Sequence, residues 1–147
     1  MYNLKIFKGK KVLITGHTGF KGSWLALWLC HLGANVLGIS NTYSTNPNHF
    51  KLLKSKLKIK SLSIDISNLN KIEKAVKYYK PDFVFHLAAQ ALVGKSYLDP
   101  ITTFQSNTIG TLNLLQSLRK LKKKCTAIII TSDKSYKNLE INRGYRE

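Results

Sequence analysis

The stretch Lys11-Val12-Leu13-Ile14-Thr15-Gly16-His17-Thr18-Gly19-Phe20-Lys21-Gly22 decides the fold. Its first five residues form a short β-rich run. Three glycines follow at the spacing G-x-x-G-x-x-G, and Ser23 to Leu32 is a helix-sized apolar segment. Gly33 stands where a helix C′ residue belongs. A strand, a glycine-rich turn and a helix in that order make a cradle for an anion. Gly16 permits a tight turn, Gly19 lets the backbone approach a pyrophosphate, and Gly22 lets helix and strand pack closely. The free amides of the helix N-terminus complete the cradle. No G-x-x-x-x-G-K-[ST] occurs, which disfavours a P-loop NTPase. Lys21 reads either as a phosphate neutraliser or as a solvated lysine.

Outward from this unit the segments alternate. Asn35 to Ser40 reads as a second strand, and Asn41 to Asn48 as a loop by composition. His49 to Lys58 is a short basic helix, and Lys60 to Asp65 a third strand. Ser67 caps a helix through Tyr79, with Leu69, Ile72, Ala75, Val76 and Tyr79 on one stripe. Phe83 to Leu87 is a fourth strand. Asp99 and Pro100 form an N-cap and N1 pair that opens a long helix. Cys125 to Thr131 is a fifth strand. Most strands are apolar throughout, as in a parallel sheet buried on both faces. The order β-α-β-(α)-β-α-β-α-β predicts a Rossmann-like doubly wound parallel α/β sheet. No second domain is evident, and the tail from Ser132 to Glu147 is polar.

Composition narrows the classes. The chain has 147 residues, an ordinary apolar share of 44%, and only 3 prolines. That fits one globular domain and excludes wholesale disorder. The charge is unusual: 24 Lys+Arg against 7 Asp+Glu, or +17. A basic balance is one footprint of nucleic-acid binding. Here nearly all of it is lysine, and arginine, the preferred base reader, occurs only at Arg119, Arg143 and Arg146. A solvated lysine-rich surface is the favoured reading, with no specific nucleic-acid partner.

Cys30 and Cys125 lack metal or disulfide spacing and read as buried free thiols of a reducing compartment. No metal site is expected. Trp24 and Trp28, four apart on the first helix, are expected in the core. Met1 to Lys11 is too polar for a signal-peptide core. The near-apolar run Trp24 to Leu32 falls well short of the roughly 20 residues of a membrane helix. A soluble cytoplasmic protein follows as the expectation. Asp65, at the end of the third strand, suits either an adenine contact or a loop and helix cap. The second strand ends without the acid that holds the adenosine ribose in the plain fingerprint, so it does not choose between NAD and NADP.

The spacing G-x-x-G-x-x-G resembles the extended short-chain dehydrogenase/reductase superfamily. Further segments resemble one of its branches, the CDP-glucose 4,6-dehydratases. They are His17 to Leu25, His86-Leu87-Ala88-Ala89-Gln90 with Leu92-Val93 and Ser96-Tyr97, and Asn107 with Gly110-Thr111. Thr131-Ser132-Asp133-Lys134 with Tyr136, and the ending Gly144 to Glu147, fit as well. The resemblance runs from about Lys10 to the last residue.

That resemblance implies NAD as cofactor and CDP-glucose as substrate, with residues 1–147 as the N-terminal NAD-binding part of a longer homodimeric enzyme. The backbone from Thr18 through Gly19, Phe20 and Lys21 to Gly22 would hold the pyrophosphate. Asp65 and Ile66 would bracket the adenine, and Leu87, Ala88 and Ala89 would line the cleft. Asn107 matches the active-site asparagine. Ser132 matches the hydroxyl beside the sugar 4-OH, and Asp133 the acid that protonates the departing C6 hydroxyl. Lys134 is base or electrostatic helper at C5, since a lysine base must first lose its proton. Without the rest of the resemblance, Ser132-Asp133-Lys134 would read as a turn and cap.

Ala91, Gly94 and Lys95 depart from the branch's usual residues. None of the seven tyrosines has a lysine four places on, so the superfamily's Tyr-x-x-x-Lys does not occur in these residues. The chain alone is therefore expected not to turn over. A related nucleotide-sugar epimerase, or a non-catalytic dinucleotide-binding module, are the alternatives.

Overall fold

A computed structural model of the chain describes residues 4–43, 45–132, 137 and 139–144. Five parallel strands form one sheet: β1 (Lys11–Thr15), β2 (Asn35–Ser40), β3 (Ile59–Ser63), β4 (Phe83–His86) and β5 (Thr126–Ile129), in the spatial order β3-β2-β1-β4-β5. The order reverses between β1 and β4, which opens a crevice at the carboxyl ends of these strands.

Helices cover both faces. Helix α1 (Phe20–His31) packs through Ala26 and Leu29 on Val12, Ile14 and Val36. Helix α3 (Leu69–Tyr79) packs through Ile72, Ala75 and Val76 on the other face, among Leu13, Leu37 and Val84. Strand alternation explains the split: Val12 and Ile14 point one way and Leu13 the other. Leu114, on α6 (Gly110–Arg119), joins the α3 side. The predicted doubly wound sheet is the observed one.

Boundaries differ in ways that have physical reasons. Helix α1 begins at Phe20, three residues before the apolar run, because the glycine turn itself closes the first helical turn. The basic helix shrinks to α2 (His49–Leu53), capped by the Asn48 side chain, and tightens into a short turn over Lys54–Lys56. Asn68 rather than Ser67 caps α3, accepting from the Lys71 amide at 3.0 Å. A short helix α4 (Val93–Leu98) fills a segment with no amphipathic period. Asp99 and Pro100 open α5 (Pro100–Phe104) as expected, and Asp99 accepts from the Thr102 amide at 3.1 Å. This helix runs into α6 through a widened π turn at Gln105–Ile109.

Burial on both faces holds for β1 and β2 but not for the outer strands. Strand β3 carries Lys60, Ser61 and Ser63 at the sheet edge, and β5 is mostly exposed along its other edge. Trp24 and Trp28 are not core residues: each is half exposed, because α1 is apolar nearly all round and its buried side is the one bearing Ala26 and Leu29. Cys30 and Cys125 are free thiols of intermediate exposure, not fully buried ones. No helix among the described residues is long and apolar enough to cross a membrane.

Candidate functional site

The site begins at the end of β1. Gly16 takes φ +76°, and its amide donates to the Ile39 carbonyl of β2 at 2.7 Å. A Cβ on Gly16 would lie 2.7 Å from the Ala88 nitrogen, so only glycine lets the turn meet the end of β4. A Cβ on Gly22 would lie 2.2 Å from the Gly16 carbonyl oxygen. Gly19 is different: a Cβ there would meet only the Gly16 oxygen, at 3.3 Å. It is the N-cap of α1 and has no side chain with which to cap it. The first amides of α1 are thus left for an anion.

Side chains anchor the turn from outside. Thr18 Oγ1 donates to the Thr42 carbonyl at 2.6 Å and lies 2.6 Å from Ser40 Oγ. Asn48 Nδ2 donates to the Thr18 carbonyl at 3.0 Å. The buried His17 ring bonds Ser61 Oγ through Nε2 at 2.7 Å and stands edge-on to Phe50. Burial pulls the His17 pKa below the ordinary value against an opposing effect of the Ile39 carbonyl.

A cleft of about 100 Å³ opens above this turn. Its walls bring together seven of the predicted positions: Gly16, Thr18 and Gly19 on one side, Ile66 on the second, and Leu87, Ala88 and Ala89 on the third. Five further lining residues were not read from the sequence: Ser40, Asn41, Thr42, Ile64 and Ser106. Four of them sit at or just past the ends of β2 and β3, a position that becomes informative only once the strand order is known.

The remaining predicted residues stand apart from the lining. Phe20 is largely exposed beside His49, and Lys21 is exposed. Gly22 is buried beneath the turn. Asp65 acts as a cap: Oδ1 accepts from the Ser67 amide at 2.8 Å, and Oδ2 accepts from Asn41 Nδ2 at 3.0 Å. Burial alone would raise its pKa, but the bonds from Ser67 and Asn41 outweigh it and hold the carboxyl low.

Asn107 lies on the π turn, one residue past the cleft-lining Ser106. Its side chain clamps Gln90, accepting from the Gln90 amide at 2.7 Å and donating to the Gln90 carbonyl at 3.0 Å. Ser132 is exposed just beyond β5, while Asp133 and Lys134 lie outside the described residues. Among the described residues no three His, Cys, Asp or Glu side chains gather as metal ligands.

The chain is similar to known proteins in sequence and in fold. It is 42% identical to CDP-glucose 4,6-dehydratase of Salmonella typhimurium over 147 residues, which is 100% of this chain and 41% of that enzyme. It is 35% identical to CDP-paratose 2-epimerase of Salmonella typhi, over 88% of this chain and 39% of that one. Among solved structures, UDP-glucose 4-epimerase of Thermus thermophilus in complex with NAD superposes with a TM-score of 0.66. The two are 31% identical over 75% of this chain and 34% of the other. The chain thus spans about two-fifths of the length of these curated relatives. The family model for GDP-mannose 4,6 dehydratase matches residues 13–143, and the chain belongs to that family.

Proposed function

We propose that the chain is the NAD-binding portion of a nucleotide-sugar dehydratase that converts CDP-glucose to CDP-4-keto-6-deoxyglucose. The observation that carries the cofactor reading is the bare backbone at Gly16 and Gly19 beside Ala88, open to a flat anionic ligand over an uncapped helix start. The likeness along the full chain to a CDP-glucose 4,6-dehydratase supports the substrate. NAD, when bound, supplies a hydride acceptor and then a hydride donor.

The chain's own residues take the remaining roles. The backbone from Thr18 to Gly22 holds the pyrophosphate, with the Lys21 side chain at its edge. Ile66 packs on the adenine, Asp65 shapes the turn beneath it, and Leu87 to Ala89 form the opposite wall. Asn107 sets the Gln90 backbone next to the reacting region. Ser132 bonds the sugar 4-OH, Asp133 gives a proton to the leaving C6 hydroxyl, and Lys134 serves C5 as base or electrostatic helper. The reaction belongs to the cytoplasm, and the longer enzyme is a homodimer.

A second reading is an epimerase, favoured by the likeness to an NAD-bound UDP-glucose 4-epimerase. Calorimetric titration of NAD into the 147-residue chain tests the shared part, and absence of binding would defeat both readings. Joining the chain to the C-terminal part of the Salmonella typhimurium enzyme separates them. A keto-deoxy sugar from CDP-glucose supports the dehydratase, and a 4-epimer supports the alternative.

A further inference from the structure

A chain of hydrogen bonds crosses the interior beside the cleft, and its direction is forced. Thr111 Oγ1 lies 2.7 Å from the Asn107 carbonyl and 2.9 Å from His86 Nε2. Thr15 Oγ1 lies 2.6 Å from His86 Nδ1 and 3.3 Å from the Ala88 amide. A hydroxyl has one proton to give, and a carbonyl can only accept. Thr111 therefore donates to Asn107 and accepts from His86, which puts the imidazole proton on Nε2. A neutral ring then offers a lone pair at Nδ1, and the Thr15 hydroxyl donates to it. Thr15 keeps a lone pair for the Ala88 N–H. Every member is satisfied in one sense only.

The ring is 2% exposed, and burial lowers the His86 pKa, so the neutral form is the one held there. The two ends of the chain matter. Ala88 lines the cleft, and Asn107 sits on the π turn with its side chain clamped to both sides of Gln90. Residues 88–90 are thereby tied to β1 at one end and to the π turn at the other. π turns of this kind recur at functional sites.

We propose that His86, fixed as the Nε2–H tautomer, is a positioning residue that locks the cleft wall at Ala88 to the turn carrying Asn107. Its consequence for the cofactor rests on the NAD reading above; the tautomer does not.

Nitrogen NMR of the labelled 147-residue chain, with His86 assigned by its loss in His86→Gln, reads the tautomer directly. A protonated Nε2 and an unprotonated Nδ1 are expected; the opposite tautomer or a rapidly exchanging mixture would overturn the proposal. Thr111→Val keeps the shape and removes the acceptor for Nε2–H. It should abolish the slowly exchanging Nε2–H signal and weaken NAD about tenfold, the scale of one lost buried hydrogen bond. Thr111→Ser should restore both. Unchanged NAD affinity in Thr111→Val, with the parent chain binding, would refute the proposal. No binding by the parent chain would refute the cofactor reading, leaving the tautomer to decide this one. The tautomer also decides it should Thr111→Val fail to fold.

Discussion

The imidazole of His17 fills the space that any side chain at position 38 would need. A Cβ built on Gly38 would lie 2.3 Å from His17 Cγ. Gly38 is the middle of β2, paired with Ile14 on one side and Ser61 on the other. The same ring bonds Ser61 Oγ at 2.7 Å. Strand β2 thus supplies a notch and β3 a hook, and together they hold the glycine turn from below. Thr18, bonded to Thr42 and beside Ser40, holds it from the side.

Gly38→Ala should therefore destabilise the chain by about 1–3 kcal/mol, the cost of overpacking a filled site. Urea unfolding measures it. If the clash with His17 is the cause, His17→Ala in the same background costs less than the two single changes added together. Strict additivity would mean that the strain lies elsewhere.

The glycines of the turn should separate by function. Gly22→Ala drives a methyl into the Gly16 carbonyl, and Gly16→Ala meets both the positive φ and Ala88. Both should lower the melting temperature by several degrees, as losses of ~1 kcal/mol or more do in small domains. Gly19→Ala meets only the Gly16 carbonyl oxygen, at 3.3 Å, a tight contact but a far milder one than those at Gly16 and Gly22, and it adds its methyl to the cleft lining. It should lower the melting temperature less than either of the other two and weaken NAD about tenfold or more, a change of ~1.4 kcal/mol. Full NAD affinity in Gly19→Ala would remove this residue from the binding surface.

Where local pattern and tertiary role coincide, the sequence was legible. The run from Lys11 to Gly22 carries strand, turn and helix start in adjacent residues, so these elements are legible from local pattern alone. Asp99 and Pro100 signal their helix by chemistry confined to two positions. Trp24 and Trp28 failed because α1 is apolar on most sides, and no local pattern tells which side the sheet covers. Asp65 has two readings because the amide that donates to its carboxylate, on Asn41, is 24 residues away and is brought close only by the β2–β3 pairing. Ser40, Asn41 and Ser106 join the cleft for the same kind of reason: strand order decides which loop ends meet. Ile101, Phe104, Thr108 and Leu112 recur at helical spacing, and the π turn at Asn107 leaves no mark in it, since one widened turn shifts the phase by a single residue.

Charge makes its own prediction. The basic run Arg119 to Lys124 is partly neutralised in the fold. Lys120 pairs with Glu73 at 2.9 Å, and Lys123 pairs with Asp82 at 2.6 Å. A net charge of +17 still attracts polyanions without selecting among them. Retention on random duplex DNA should thus be weak and fall steeply as salt rises. Tight binding at physiological salt, measured by fluorescence anisotropy, would point to a nucleic-acid function instead.

Acid should destabilise the fold in two separate windows. His17 and His86 both have pKa values below the ordinary 6.5, chiefly because burial penalises the imidazolium. In the unfolded chain these rings take up a proton near pH 6.5, while in the folded chain they stay neutral. The unfolded state then binds more protons, so stability falls as the pH drops below 6.5 toward the folded values. Each ring contributes a slope of at most about 1.4 kcal/mol per pH unit in that window. The carboxylates behave alike but lower down. Asp65 and Asp82 are held below 3.8 by hydrogen bonds, with Lys123 foremost for Asp82, so their contribution is lost only under more acid conditions. Urea midpoints between pH 7.5 and 5 should decline, and His17→Gln and His86→Gln should each flatten that decline. A decline that begins only near pH 4 would show that both rings accept protons in the folded state as readily as in the unfolded one.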